Sequence, residues 1–396
     1  MPAPSNAPNP KQATLQFPCR QCGAALKYAP GTQYLVCEHC GAENRIEQRS
    51  GFIEEFDLKP ALDRLAKSRT APATAPTIQC DGCGASFQFE AKNHAGECPF
   101  CGTPIVSGTA QSKPIQPESL LPFSIDEAGA RQRFQQWIAA LWFAPNAVKK
   151  YARSDSKLTG VYLPFWTFDS QTVTDYSGER GDVYYVQQQV QVVRNNRLVT
   201  EIRQVPKIRW TPVAGQVRRF FDDVLVGASR SLPRPIVDAL EPWDLKALIP
   251  YDEHYLSGFH SEVYQVELAE GFDLARQVMD QQIRLDICRD IGGDHQRIYR
   301  VSTHHSDSTY KHCLLPVWSA AFRYRHKSYR FVINGRTGEV QGERPYSYWK
   351  IAFASLTALL LAAGIYYALE KSGALQNMQT QDSNIQPYQY QHPLYY

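Results

Sequence analysis

The sequence predicts an α+β protein on three observations. Four Cys-x-x-Cys pairs fall within the first 101 residues, strand-like and helix-like runs are segregated between about 120 and 345, and 19 consecutive residues near the end carry no charge. With 396 residues, 43% of them hydrophobic, the chain is long enough for about two or three domains and a proper core. That composition excludes wholesale disorder, and a mean hydropathy of −0.41 excludes a polytopic membrane protein. A net charge of +3, from 42 Lys+Arg against 39 Asp+Glu, supplies no global pull toward nucleic acid.

Residues 1–14, rich in Pro, Ala and Asn, read as a disordered lead, and their lack of an apolar stretch argues against a cleavable signal peptide. The cysteines follow in two modules over 15–48 and 78–107. The first holds Cys19, Cys22, Cys37 and Cys40, the second Cys80, Cys83, Cys98 and Cys101, with 14 residues between the pairs in both. Glycine follows each second cysteine, as a tight knuckle requires, and two knuckles joined by a short hairpin bring four thiolates into a tetrahedron suited to zinc. Two structural Zn²⁺ ions are therefore expected, one per four-cysteine zinc ribbon. Four protein ligands leave no open position for catalysis. Thiols kept for metal imply a reducing compartment. Between the ribbons, 49–77 reads as a short helix after Pro60 followed by the flexible run APATAPT, and 108–119 as a second linker.

The middle domain, 120–345, is read as mixed antiparallel sheet and helix. Ser124-Ile125-Asp126-Glu127 has the form of a capping box, opening a helix to Phe143 with Phe134, Trp137, Ile138, Leu141 and Trp142 on its apolar side. Strands are expected at YLPFWTF, VYYVQQQVQVV and LVTEIRQV, with a turn at Arg194-Asn195-Asn196-Arg197. Residues 221–250 read as helical and proline-punctuated, SEVYQVEL as a strand and 273–290 as a helix. Strands LLPVWSAAFRYR and SYRFVIN, closed by turns at Asn334-Gly335 and Thr337-Gly338-Glu339, complete the domain. Tyr162-Leu163-Pro164-Phe165-Trp166 is echoed at Leu314-Leu315-Pro316-Val317-Trp318, two similar strand starts each sending a tryptophan into a core.

Residues 351–369 run without a charge, which at ~1.5 Å per residue roughly matches a ~30 Å bilayer core. With Trp349 and Tyr366-Tyr367 as interfacial aromatics, a transmembrane helix is expected over 349–370, followed by a short polar tail, 371–396. Seven Lys/Arg in 319–350, against Lys371 alone beyond the span, place the bulk of the chain in the cytoplasm and the tail outside, in a single-pass inner-membrane topology.

No nucleotide-binding Gly-x-x-x-x-Gly-Lys loop, Gly-x-Ser-x-Gly or His-Glu-x-x-His motif is present, so no catalytic residues are assigned and a non-enzymatic protein is expected. His304, His305, His312 and Cys313 match no standard metal spacing, and the histidines read as surface or turn residues. Asp222-Asp223 reads as a helix start or a hydrogen-bonding pair, and Cys288 as a core residue.

The cysteine pairs, GVYLPFWTFDSQTVTDYSG, FFDDVLV, YLSGF and LLPVWSAAFRYR…FVINGRTGEVQGE together resemble a bacterial family over about 15–350. It is the TFIIB-type zinc-ribbon membrane proteins commonly labelled primosomal protein N-prime (replication factor Y)/superfamily II helicase, although this chain lacks the helicase loop. The resemblance implies a membrane-anchored adaptor that recruits SPFH (flotillin-like) or phage-shock-type proteins in envelope stress, with the cysteines as zinc ligands. The other function the family label implies is a nucleic-acid-binding replication accessory without ATPase activity. Only Arg20, Lys27 and Arg45 in the first ribbon and Lys92 in the second supply cations for it.

Overall fold

The computed structural model describes residues 14–15, 17–47, 51–67, 77–79, 86–88, 93–97, 104–107, 115–145, 158–194, 197–324, 327–343 and 346–371. The expected lead, the run APATAPT up to residue 76, most of the second linker, the Asn195-Asn196 turn and the polar tail from residue 372 lie outside them, as do the four cysteines of the second ribbon.

The mixed α+β class holds, with five α-helices among the described residues. The first ribbon is a three-stranded antiparallel sheet of β1 (Leu26–Tyr28), β2 (Tyr34–Cys37) and β3 (Glu43–Arg45). Helix α1 (Leu58–Lys67) then carries Pro60 in its first turn, where a missing N–H costs nothing. A short strand β4 (Ser119–Leu120) precedes α2 (Glu127–Ala140). The long strands β5 (Thr159–Arg194) and β6 (Arg197–Gly227) pair with each other. They are followed by α3 (Arg234–Asp238), β7 (His260–Glu262) and α4 (Leu268–Ile291). Then come β8 (His295–Tyr324), β9 (Lys327–Asn334), β10 (Val340–Gly342) and α5 (Tyr348–Lys371).

Four expectations are corrected. The strands expected between Val161 and Trp210 are two continuous ones, because Gly178 and Gly181 do not act as breaks. A Cβ at Gly178 would collide with the Arg297 carbonyl, so this glycine serves close strand approach. Residues 221–250 are not helical throughout: β6 continues to Gly227, and Pro233, Pro235, Pro242 and Pro250 leave only α3 and a single 3₁₀ turn at Leu245–Ala247. SEVYQVEL forms only the short β7, and Val263, Tyr264 and Val266 are buried by tertiary packing, Tyr264 lying 5.0 Å from the Trp166 ring. The α2 cap is Asp126, whose Oδ1 accepts the Gly129 N–H at 2.8 Å, and the helix ends at Ala140, with Trp142 exposed.

The chain forms two compact units. The first comprises Met1–Thr174, Val217–Arg284 and Thr303–Pro345. In it β5 runs parallel to β7, with Val161 opposite His260, and β4 runs parallel to β8 at Cys313–Leu314. The β8–β9 hairpin is antiparallel from Val317–Asn334 to Tyr324–Lys327. Both tryptophans of the repeated pentad are buried and satisfied: Trp166 Nε1 donates to the Val266 carbonyl and Trp318 Nε1 to the Ile125 carbonyl, each at 2.9 Å. Phe134 of α2 stacks on Phe331 of β9 with centroids 3.7 Å apart.

The second unit comprises Asp175–Gln216, Leu285–Ser302 and Tyr346–Tyr396. Its aromatic contacts include the Arg297 guanidinium 3.8 Å over the Trp210 ring, and the Tyr176 hydroxyl donates to Asp290 Oδ2 at 2.5 Å. Helix α5 also belongs to it. Over Tyr348–Ala368 it is 21 residues long, apolar enough to cross a membrane, and none of it is buried.

Candidate metal centre

The ribbon is built from two matching knuckles. The Gly23 N–H donates to the Cys19 carbonyl at 2.9 Å and the Gly41 N–H to the Cys37 carbonyl at 2.8 Å. The chain then folds back so that the Cys19 N–H reaches the Ala24 carbonyl at 2.7 Å and the Cys37 N–H the Ala42 carbonyl at 3.0 Å. Gly23 and Gly41 have φ of +73° and +74°, the left-handed region that an L side chain enters at a cost. A Cβ at either position would meet nothing within 4 Å, so the cost is conformational, not steric crowding. Gly23→Ala should therefore destabilise the folded ribbon by about 1–2 kcal/mol. Metal-bound protein in chemical denaturation reads this loss, and an unchanged midpoint would contradict the strained-knuckle account.

The sulfurs of Cys19, Cys22, Cys37 and Cys40 all lie within 4.8 Å of one another, close enough to hold one metal ion. Cys19 and Cys40 are 3.6 Å apart and Cys22 and Cys37 3.5 Å, far longer than the ~2.05 Å of a disulfide. A tetrahedron with metal–sulfur bonds of ~2.3 Å has edges of about 3.8 Å, so the donor set fits such an ion with little movement. Electrostatics also calls for a cation. The N–H groups of Cys22 and Gln21 lower Cys19 to about 6, and those of Cys40 and His39 lower Cys37. The Ala42 N–H would lower Cys40 too, but Cys22, burial, and the sulfurs of Cys37 and Cys19 push it up to about 12. Four thiols so close cannot all ionise unless a positive ion compensates them.

Cys19 and Cys37 are buried while Cys22 and Cys40 face solvent, so one side of the site is anchored in the protein. Tyr28 next to the knuckles donates from its hydroxyl to the Phe123 carbonyl at 3.2 Å, and the Gly31 N–H reaches the same carbonyl at 2.8 Å. Ser257 Oγ donates to the Leu26 carbonyl at 2.7 Å. Leu26, Tyr28 and Leu35 share one hydrophobic cluster with Phe123, Tyr162 and Phe259. The ribbon is thus continuous with the core of the first unit.

The histidines do not join this site. His304, His305, His312 and Cys313 all lie on β8; Cys313 is buried, and so is His312, which is therefore not a surface or turn residue. The His312 ring lies 4.7 Å from Trp166 and edge-on to Tyr264 at 5.4 Å, while His305 Nδ1 is 3.2 Å from Ser170 Oγ. Cys288 is half-buried on α4.

A polar cluster that the sequence reading missed surrounds Asp223, which sits on β6 at φ +52° and starts no helix. Lys311 Nζ bridges Asp223 Oδ1 at 2.6 Å and Glu55 Oε1 at 2.9 Å. Asp169 accepts the Asp223 N–H at 2.7 Å and the Thr309 hydroxyl at 3.0 Å. Burial raises Asp169 to about 6. Burial opposes a charge on Lys311, but its two carboxylate partners outweigh it and hold the ammonium firmly protonated. The doublet FFDD hinted at this cluster. Its partners lie 54, 88 and 168 positions from Asp223, at Asp169, Lys311 and Glu55, where no local pattern links them.

Glu118 lies one strand away, accepting the His312 N–H at 2.7 Å, and burial pushes its carboxyl up to about 8. A folded value above the ordinary 4.5 means that the folded state holds the extra proton. Its contribution to stability is complete below about 4.5 and is lost as pH rises through about 8. Glu118→Gln should flatten that decline in urea titrations across the same window, and a slope identical to wild type would contradict it.

Family models were compared with the chain and none matches, nor does any solved structure. The chain is similar to the uncharacterized protein YdjG of Bacillus subtilis (strain 168), with 26% identity over 343 residues that cover 85% of this chain and 92% of that protein.

Proposed function

We propose that this protein is a single-pass membrane adaptor whose zinc ribbons and α+β domain recruit cytosolic partner proteins. The observation that carries the reading is the combination of a closed four-cysteine site at one end of the chain with a bare apolar helix at the other. Zinc is the ion of choice for a tetrahedral all-thiolate set, and a site with four protein donors serves structure instead of turnover. The second ribbon, with the same cysteine spacing at Cys80, Cys83, Cys98 and Cys101, takes a second zinc. The bulk of the chain lies on the cytoplasmic side, where the basic flank of the span belongs and thiols stay reduced. The family resemblance points to SPFH or phage-shock-type partners at the inner membrane under envelope stress.

The test is crosslinking in cells followed by purification from detergent-solubilised membranes. An SPFH or phage-shock-type protein should be recovered with wild type and lost with Cys37→Ser. Recovery of the chain alone would overturn the adaptor reading. Salt-sensitive retention of single-stranded DNA by the solubilised chain would favour the replication-accessory reading instead.

A further inference from the structure

The second unit contains an open strand edge that neither the metal site nor the proposed anchor uses. The Asp294 N–H donates to the Gly181 carbonyl at 2.9 Å, and the Val183 N–H donates to Asp294 Oδ2 at 2.8 Å. These bonds fix which way β5 presents its backbone: on this side the groups of Gly181 and Val183 face outward, away from β6. Strand geometry repeats every second residue, so the N–H and C=O groups of Tyr185, Gln187, Gln189 and Gln191 face the same edge. Strand β8 begins only at His295, and among the described residues no strand lies beside that edge past Val183.

What remains is a two-stranded ribbon, and such a ribbon alone is marginally stable in water. Tyr184, Tyr185, Val199 and Ile202 on it are exposed, Tyr185 and Ile202 at 65% each. The composition of its two strands differs. VYYVQQQVQVV, residues 183–193, has no charge, proline or glycine, whereas 197–209 on β6 has Arg197, Arg203, Lys207 and Arg209 against Glu201. Natural sheets protect open edges with devices that include charges and prolines, and β5 has neither over this stretch. A stretch rich in β-formers and glutamines is self-complementary when it pairs with itself, because no like charges oppose one another. Self-pairing through β6 would instead set four cations against four.

We propose that the outer edge of β5, around Tyr185 to Gln191, is a homodimer interface. It pairs antiparallel with the same edge of a second copy, so that two hairpins merge into one four-stranded sheet. A two-fold contact of this kind buries each edge against itself and closes, leaving the charged β6 strands on the outside.

The test uses full-length chain in detergent, with mass measured across a concentration series. Wild type should show a species of twice the 44.9 kDa chain mass. Gln189→Pro removes an outward N–H while sparing the bonds to β6, and should raise the dimer Kd by more than about tenfold. The pair Gln187→Lys with Gln191→Lys places like charges across the contact and should do the same, which guards against a proline variant that merely misfolds. A photo-crosslinker at Tyr185 should join two copies, whereas one at Thr200 should not. A monomeric wild type, a dimer indifferent to both variants, or Tyr185 crosslinks only to another protein would each overturn the proposal. Membrane and metal content are measured separately, so failure here leaves the adaptor reading standing.

Discussion

Cys37→Ser should strip the metal from the N-terminal site and unfold residues 17–47. Cys37 is a fully buried member of the quartet, and its N–H and C=O close the second knuckle. Structural zinc in small modules supplies roughly 10–16 kcal/mol of folding free energy, comparable to the ~5–15 kcal/mol that holds a whole domain together. Loss of one thiolate leaves three donors and a hydroxyl, which cannot retain a tetrahedral thiolate ion at that affinity. The damage should spread, because Tyr28 and Gly31 tie the ribbon to the Phe123 carbonyl and Leu26, Tyr28 and Leu35 belong to the common core. Hydrogen exchange should therefore show lost protection in β1–β3 and also around Phe123 and Phe259. Bound metal per chain should fall by one ion relative to wild type. Full retention of metal by Cys37→Ser would rule out the quartet as its ligand set.

A second large effect is expected from charging the bare helix. Leu360→Arg together with Ala363→Arg puts two guanidinium groups near the middle of α5, each at about 2.5–3.5 kcal/mol in insertion. Their sum, about 5–7 kcal/mol, would shift the membrane partition by more than about three orders of magnitude. Wild-type chain should resist alkaline extraction from membranes, whereas the double variant should be released. Leu360→Ile, which keeps the apolar surface, should behave as wild type. Release of the wild type under the same conditions would mean that α5 lies against another protein surface instead of crossing a bilayer.

Features written in short-range patterns were legible in the sequence. Cys19, Cys22, Cys37 and Cys40 sit in two Cys-x-x-Cys-Gly turns, and the spacing alone sufficed to foresee a quartet of sulfurs. The apolar run at 351–369 likewise became part of one unburied helix. Trp166 and Trp318, recognised through a repeated pentad, are both core residues. Long-range pairing was less visible. Gly178 falls in the gap between two expected strands, yet in the sheet it marks where another backbone approaches, information held by Arg297 more than a hundred residues away. Asp223 read as a local doublet, but its meaning depends on Asp169, Lys311 and Glu55. The buried His312 was mistaken for a surface residue because burial of an imidazole against Trp166 and Tyr264 leaves no periodic trace. Ser124 offered a capping box that competed with Asp126, and the aspartate side chain two residues later captured the Gly129 N–H.

Zinc K-edge absorption on full-length chain purified from the membrane fraction tests the central claim most directly. The account predicts zinc coordinated by four sulfurs at about 2.3 Å, with no nitrogen or oxygen in the first coordination sphere. A protein devoid of zinc, or zinc bound through oxygen and nitrogen, would contradict it.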